Sequence, residues 1–285
     1  MGRGRLGSQQ GMQRTIAARQ QGMQRTIAAR QQTAAAAVSV SPADAIRESL
    51  QNDGTMDLAA FNKLSDDDMA AILNEIDQYE SDDDLRWRQL QATDTQRFFN
   101  QIGWADEKPT TLDDKAYEAA RKAAGAKSLY HTDAPYGLLS TQRMLDQFRK
   151  GTQYLSGGIH GDGTYLAESS SDSWSYGKYK PTARQQKMFL NHNAKVIDEW
   201  DLNQKFNTWA QAHPKAYSAL RHMSQGYQDK NAGWSGTDGS QSVFAAMLGY
   251  NVIKAGSYYT VLNRKAVTVA KSHKIYSKRT DWNNW

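Results

Sequence analysis

Apolar and polar positions change texture several times along the chain, and each change predicts a different kind of element. Residues 1–32 are sparse in apolar positions and carry GMQRTIAARQQ at 11–21, repeated verbatim at 22–32. A period of 11 corresponds to about 3.67 residues per turn, near the helical value. Met12 and Ile16, and again Met23 and Ile27, therefore share a face. Gly11 and Gly22 each weaken a helix by roughly 1 kcal/mol, and two copies are too few for a solenoid. Two readings stand: a duplicated disordered tail, and an arm that becomes helical on a partner.

From Ser41 the spacing becomes helical. Ser41-Pro42-Ala43-Asp44 predicts a helix start with proline in the first turn, and Gly54 predicts its end. Ser65 before Asp66, Asp67 and Asp68 predicts a second start, with Met69, Ile72, Leu73 and Ile76 on one face. A third helix is expected over Leu85–Ile102, with Trp87, Leu90, Phe98 and Phe99 as its apolar residues. Pro109–Asp114 predicts a turn and a fourth helix start. Beyond it the texture is mixed. Strands are expected over Lys127–His131, Thr164–Ala167, Ala194–Glu199, Tyr258–Asn263 and Ala266–Ala270, and helices over Ser140–Arg149 and Ser169–Tyr176. The expected fold class is α+β. A basic repeat tail (1–40) and an acidic helical module (41–108) precede a domain over 109–272. The tail at 273–285, ending DWNNW, reads as a frayed terminus or a docking peptide.

Composition narrows the chemistry. With no cysteine in 285 residues, disulfides, thiolate catalysis and zinc fingers are excluded. Six scattered histidines without HxxxH spacing predict no metal site. No apolar run approaches the roughly 18 residues of a membrane span, and the N-terminal arginines lead into no signal-like apolar stretch. The net charge of +5 separates into blocks. Residues 1–41 hold six arginines and no acid, and residues 42–84 hold 13 acids against Arg47 and Lys63. The remainder therefore carries +10, which suits an anionic dinucleotide or a nucleic acid, although scattered surface charge is also ordinary.

The loop SGGIHGDGTYLAES at 156–169 is permissive in backbone conformation. It matches neither GxGxxG in a strand-turn-helix setting nor a P-loop. What it resembles is the second motif of the ADP-ribosyltransferase superfamily, in its diphtheria-toxin-like and poly(ADP-ribose) polymerase branch. There a strand ends in histidine, as in Leu129-Tyr130-His131, and GxGxYxA follows, as in Gly161–Ala167. A serine eight residues after the tyrosine and a second tyrosine eleven after it match Ser173 and Tyr176. The entry KPTTLDDKAYEAARKAAGAKSLYH and the closing GYNVIKAGSYYTVLNRKAV are similar to transferase domains of phage head proteins and bacterial toxins. The resemblance covers about half the chain.

The resemblance implies a split mixed sheet with helices and an NAD⁺ pocket. His131 would hydrogen-bond the adenosine ribose, and the Thr132 backbone, with the Ser173 hydroxyl, would hold the nicotinamide carboxamide. Tyr165 and Tyr176 would sandwich the nicotinamide ring, each stacking pair contributing on the order of 0.5–1.5 kcal/mol. Gly163 belongs to the loop that would close on the cofactor. Each residue alone has a plainer reading, as a satisfied interior histidine, core aromatics or a turn residue. The chain departs from the family twice. Thr132 replaces a glycine, and Tyr258 stands where a catalytic glutamate is usual, with Asp133 and Asp162 the nearest acids in sequence. Poly(ADP-ribose) elongation is therefore not expected. The leading expectation is a mono-ADP-ribosyltransferase of phage origin, acting on host protein or nucleic acid, in the virion or the host cytoplasm. His131, Tyr165 and Tyr258 are its candidate catalytic positions. The alternatives are a virion protein with an inactive transferase fold, and a nucleic-acid-binding module.

Overall fold

A computed structural model describes residues 40–52, 55–78, 93–133, 141–151, 154–155, 162–175, 183–223 and 239–275. The N-terminal repeats, the loop at 156–161, Tyr176 and the DWNNW end lie outside the described residues. Up to Ser41 the chain is a unit distinct from the one beginning at Pro42, and only the second is treated below.

Helices α1 (Pro42–Asn52), α2 (Leu58–Phe61), α3 (Asp66–Gln78) and α4 (Thr93–Gln101) come first. Pro42 opens α1 as expected, because its missing N–H falls where a helix leaves that group unbonded anyway. In α3, Ser65 Oγ accepts from the Asp68 amide at 3.2 Å. Met69, Ile72, Leu73 and Ile76 are all buried, as their spacing predicts. The third helix is seen from Thr93, with Phe98 and Phe99 fully buried.

The mixed region follows with β1 (Thr110–Leu112), α5 (Asp114–Ala123), β2 (Leu129–Asp133), α6 (Thr141–Lys150), β3 (Thr164–Ala167) and α7 (Ser170–Ser175). Next come β4 (Arg184–Leu190), β5 (Val196–Asp198), α8 (Glu199–Ala212), α9 (Pro214–Met223) and α10 (Gly239–Met247). The hairpin of β6 (Val252–Ala255) and β7 (Tyr258–Val261), a 3-10 turn at Arg264–Ala266 and β8 (Val267–Ile275) complete it. Asp113 caps α5 through a 2.9 Å bond from the Ala116 amide, as the Thr-Leu-Asp-Asp sequence predicts. The segment before it, expected as a turn, forms β1. The strand expected to end at Glu199 stops one residue earlier, because Asp198 accepts from the Trp200 amide at 2.9 Å and caps α8 instead.

Eight strands form one mixed sheet in the order β1-β8-β4-β2-β3-β7-β6-β5. Only the rim pairs β1/β8 and β5/β6 are parallel. Strands β2 and β3 share a single paired position, Tyr130 with Ala167, whereas β2 pairs with β4 over five and β3 with β7 over four. The sheet is thus two four-stranded halves joined at a narrow seam. Strand alternation sends Met188 and Val269 into the main apolar cluster and Phe189 and Ala270 against Tyr117 of α5. The main cluster takes in the N-terminal helices, both half-sheets and α8–α10 together. Around Phe206 of α8, the rings of Trp209, Tyr217 and Phe244 lie 5.2–6.1 Å away, distances typical of packed aromatics.

Candidate functional site

Strand β2 organises the site, because neighbouring residues on it reach different elements. His131 extends toward β3 and α6. Its Nδ1 lies 2.6 Å from the carbonyl oxygen of Tyr165, and its Nε2 lies 3.0 Å from Asp133 Oδ1. The ring stacks on Phe148 of α6 at 6.3 Å between centroids. Its side chain is only 13% exposed. Burial on its own would lower the histidine pKa, but the Asp133 carboxylate and the Tyr165 carbonyl outweigh it, and the pKa is raised. Asp133, two residues along the strand and so on the same face, is buried as well.

Thr132 points the other way, toward α7. Its hydroxyl and that of Ser173 are 2.7 Å apart, and Ser173 is almost wholly buried. Gln185 of β4 extends this network. Its amide donates to the Ser170 carbonyl at 2.8 Å and reaches the Thr132 hydroxyl at 3.5 Å, while its oxygen accepts from Ser170 Oγ at 2.7 Å. Gln185 also lines a cleft of about 190 Å³ together with Tyr117, Glu118 and Lys187.

Four of the sequence-derived positions therefore meet around β2: His131 with Tyr165, and Thr132 with Ser173. Tyr165 is half-buried on β3 opposite Thr260, and Tyr258 is half-buried opposite Ala167. Gly163 is buried at the head of β3, and a β-carbon there would fall 2.3 Å from Thr260 Cγ2 and 3.0 Å from the Val261 carbonyl oxygen. Close packing therefore accounts for this glycine. Tyr176 lies outside the described residues.

The acids are already engaged. Asp162 is buried and accepts from Thr95 Oγ1 at 2.6 Å, beside the first residue of α10. Asp133 holds His131. Glu168, just past β3, accepts from the Tyr259 hydroxyl at 2.9 Å and lies 3.6 Å from Lys127. That hydroxyl bond, with the lysines nearby, outweighs partial burial and lowers the Glu168 pKa. Sequence reasoning missed Gln185 and Glu168. Gln185 sits in a run, Arg184-Gln185-Gln186-Lys187, whose polarity hides a central strand, and only its pairing opposite Thr132 exposes its role.

No group of three or more metal-ligating side chains stands together among the described residues. No helix among them is long and apolar enough to cross a membrane. No family model, curated protein or solved structure matches the chain.

Proposed function

We propose that this chain binds NAD⁺ at the junction of β2, β3 and α7 and transfers one ADP-ribose unit to an acceptor, as a mono-ADP-ribosyltransferase. The observation that carries this reading is the convergence on one strand of residues as far apart in sequence as His131 and Ser173. His131 is bonded to the Tyr165 backbone and Thr132 to Ser173. The narrow seam between the half-sheets supports the split-sheet fold that the same resemblance implies. In the reaction, the bond between nicotinamide and ribose C1′ breaks and nicotinamide leaves with the bonding pair. An acceptor nucleophile then bonds to C1′ and gives up its proton. The residues here would contribute orientation. The Thr132–Ser173 pair would face the carboxamide, Tyr165 the ring, and the β2–β3 junction the ribose, fixing the bond for attack. A phage origin, with a host protein or nucleic acid as acceptor, belongs to the same proposal.

A second reading is favoured by two particular observations. Position 258 is a tyrosine, and both ring nitrogens of His131 are taken up within the protein. These suit a virion component that keeps the fold without turnover, and fold alone does not establish function. Nicotinamide release by the full chain separates the two. We expect release from the wild type, with Tyr165→Ala lowering it at least tenfold. No release and no calorimetric binding of NAD⁺ would sink the enzyme and leave the scaffold. A fixed copy number in purified phage particles would then support the virion role.

A further inference from the structure

The His131 ring carries one hydrogen-bonding group too many for a neutral imidazole. Nδ1 faces a backbone carbonyl, which can only accept, so Nδ1 must bear a proton. Nε2 faces a carboxylate oxygen, which accepts whenever it is ionised. A neutral ring with its single proton on Nδ1 would turn the Nε2 lone pair toward Asp133 Oδ1, lone pair against lone pair. With Asp133 as a carboxylate, two acceptors at 2.6 and 3.0 Å are satisfied together only by a ring protonated on both nitrogens.

We infer that Asp133 is a positioning residue that holds His131 as an imidazolium, and that this cation staples β2 to β3 across the seam between the two half-sheets. The seam needs such a staple. The backbones of β2 and β3 pair only at Tyr130 and Ala167, and the His131–Tyr165 bond adds a second tie beyond that pair. It also fixes the strand carrying Tyr165 against the one carrying Thr132, whose hydroxyl fixes α7 through Ser173. The bearing of the staple on ligand binding rests on the NAD⁺ reading above. The charge on the ring does not.

The surroundings favour the ion pair. From α6, Phe148 covers the ring and the Arg149 guanidinium acts electrostatically on Asp133. From β4, Gln186 is paired opposite His131 and Arg184 opposite Asp133. His273 of β8 is paired opposite Gln186, and burial first, then Arg184 and Arg149, lowers its pKa and keeps it neutral. The second carboxylate oxygen, Asp133 Oδ2, is buried and has no hydrogen-bond partner among the described residues. The positive charges on His131 and Arg149 are what make that ionised carboxylate tolerable.

Nitrogen-15 NMR of the histidine side chains in the full chain, followed from pH 5 to 9 and assigned with His131→Gln, tests this. Both ring nitrogens should carry protons at pH 7, with a midpoint above the ordinary value of about 6.5. Asp133→Asn should bring the midpoint below that value, since burial then acts almost unopposed, and should weaken NAD⁺ binding several-fold. A wild-type ring with one proton at pH 7 overturns the inference, and so does an unchanged midpoint in Asp133→Asn. The wild-type spectrum decides the matter if the variant does not fold. A doubly protonated ring in a protein that ignores NAD⁺ would keep the staple and remove the functional reading.

Discussion

At the scale of single residues, two substitutions test whether the site is built as described. Gly163→Ala places its new carbon 2.3 Å from Thr260 Cγ2, too close for any real contact, so Thr260 must rotate or β3 must shift from β7. We expect a loss of roughly 1–3 kcal/mol, read as a lower denaturant midpoint with an unchanged slope. Thr132→Val is nearly isosteric but removes the hydroxyl that meets buried Ser173. It should cost about 1–2 kcal/mol, and Ser173→Ala in the same chain should recover part of that, as a double-mutant cycle measures. The pairing of His131 with Asp133 was open to anyone reading the strand, because residues two apart share a face. The sequence offered Asp133 only as one of the nearest acids, because the family pattern assigns it no role. A side chain at Gly163 would also meet β7, nearly a hundred residues later. No local pattern reports that.

At the scale of elements, caps and termini decide where helices begin. Asp66, in the first turn of α3, accepts from the amides of Lys215 and Ala216 at 3.0 and 2.8 Å and so caps α9 as well. Partial burial opposes its charge, but the Ala216 and Lys215 amides prevail and lower its pKa. A depressed carboxyl stabilises the fold above its unfolded pKa of about 4 and ceases to as pH falls through the lower folded value. Stability should therefore decline below about pH 4. In Asp66→Ala that decline should be shallower, and stability at neutral pH lower by about 1 kcal/mol. Urea titrations at several pH values would show both, and identical slopes in the two proteins would refute the cap. Elements with an apolar pattern, such as α3 and β7, could be read from the sequence. Strand β4 could not, since Gln185 and Gln186 are buried polar residues whose partners, the Ser170 and Ala270 carbonyls, are brought to them only by the fold. Nor could β1, three residues long, whose partner is the last described strand.

At the scale of the whole molecule, one buried arginine connects distant parts. Arg264, in the turn before β8, is fully buried. It donates to the carbonyls of Gln147 and Phe148 at the end of α6 and of Ala105 after α4, and lies 4.0 Å over the Tyr154 ring. Arg264→Met fills similar volume but removes a donor from all three carbonyls, of which Gln147 keeps the Gly151 amide and Ala105 keeps Lys108 Nζ. We expect a loss of roughly 1–3 kcal/mol, seen as a fall in thermal midpoint, with hydrogen exchange in α6 rising most. Exchange that rises evenly across the chain would argue against a local clamp.

The place of β8 in the sheet has a consequence for how the molecule comes into being. It is the last described element, yet it lies between β1 and β4, and β1 has no other partner among the described strands. While the polypeptide is still emerging from the ribosome, β1 must wait for residues about 158 positions downstream, at the Thr110–Thr268 register. Closure over such a distance is slow relative to helix formation. A nascent chain lacking 267–275 would expose the flank of β4 and leave β1 unpaired, an invitation to wrong partners. Fragments ending before residue 267 should therefore aggregate on synthesis, and the full chain should acquire protease resistance only after β8 is released.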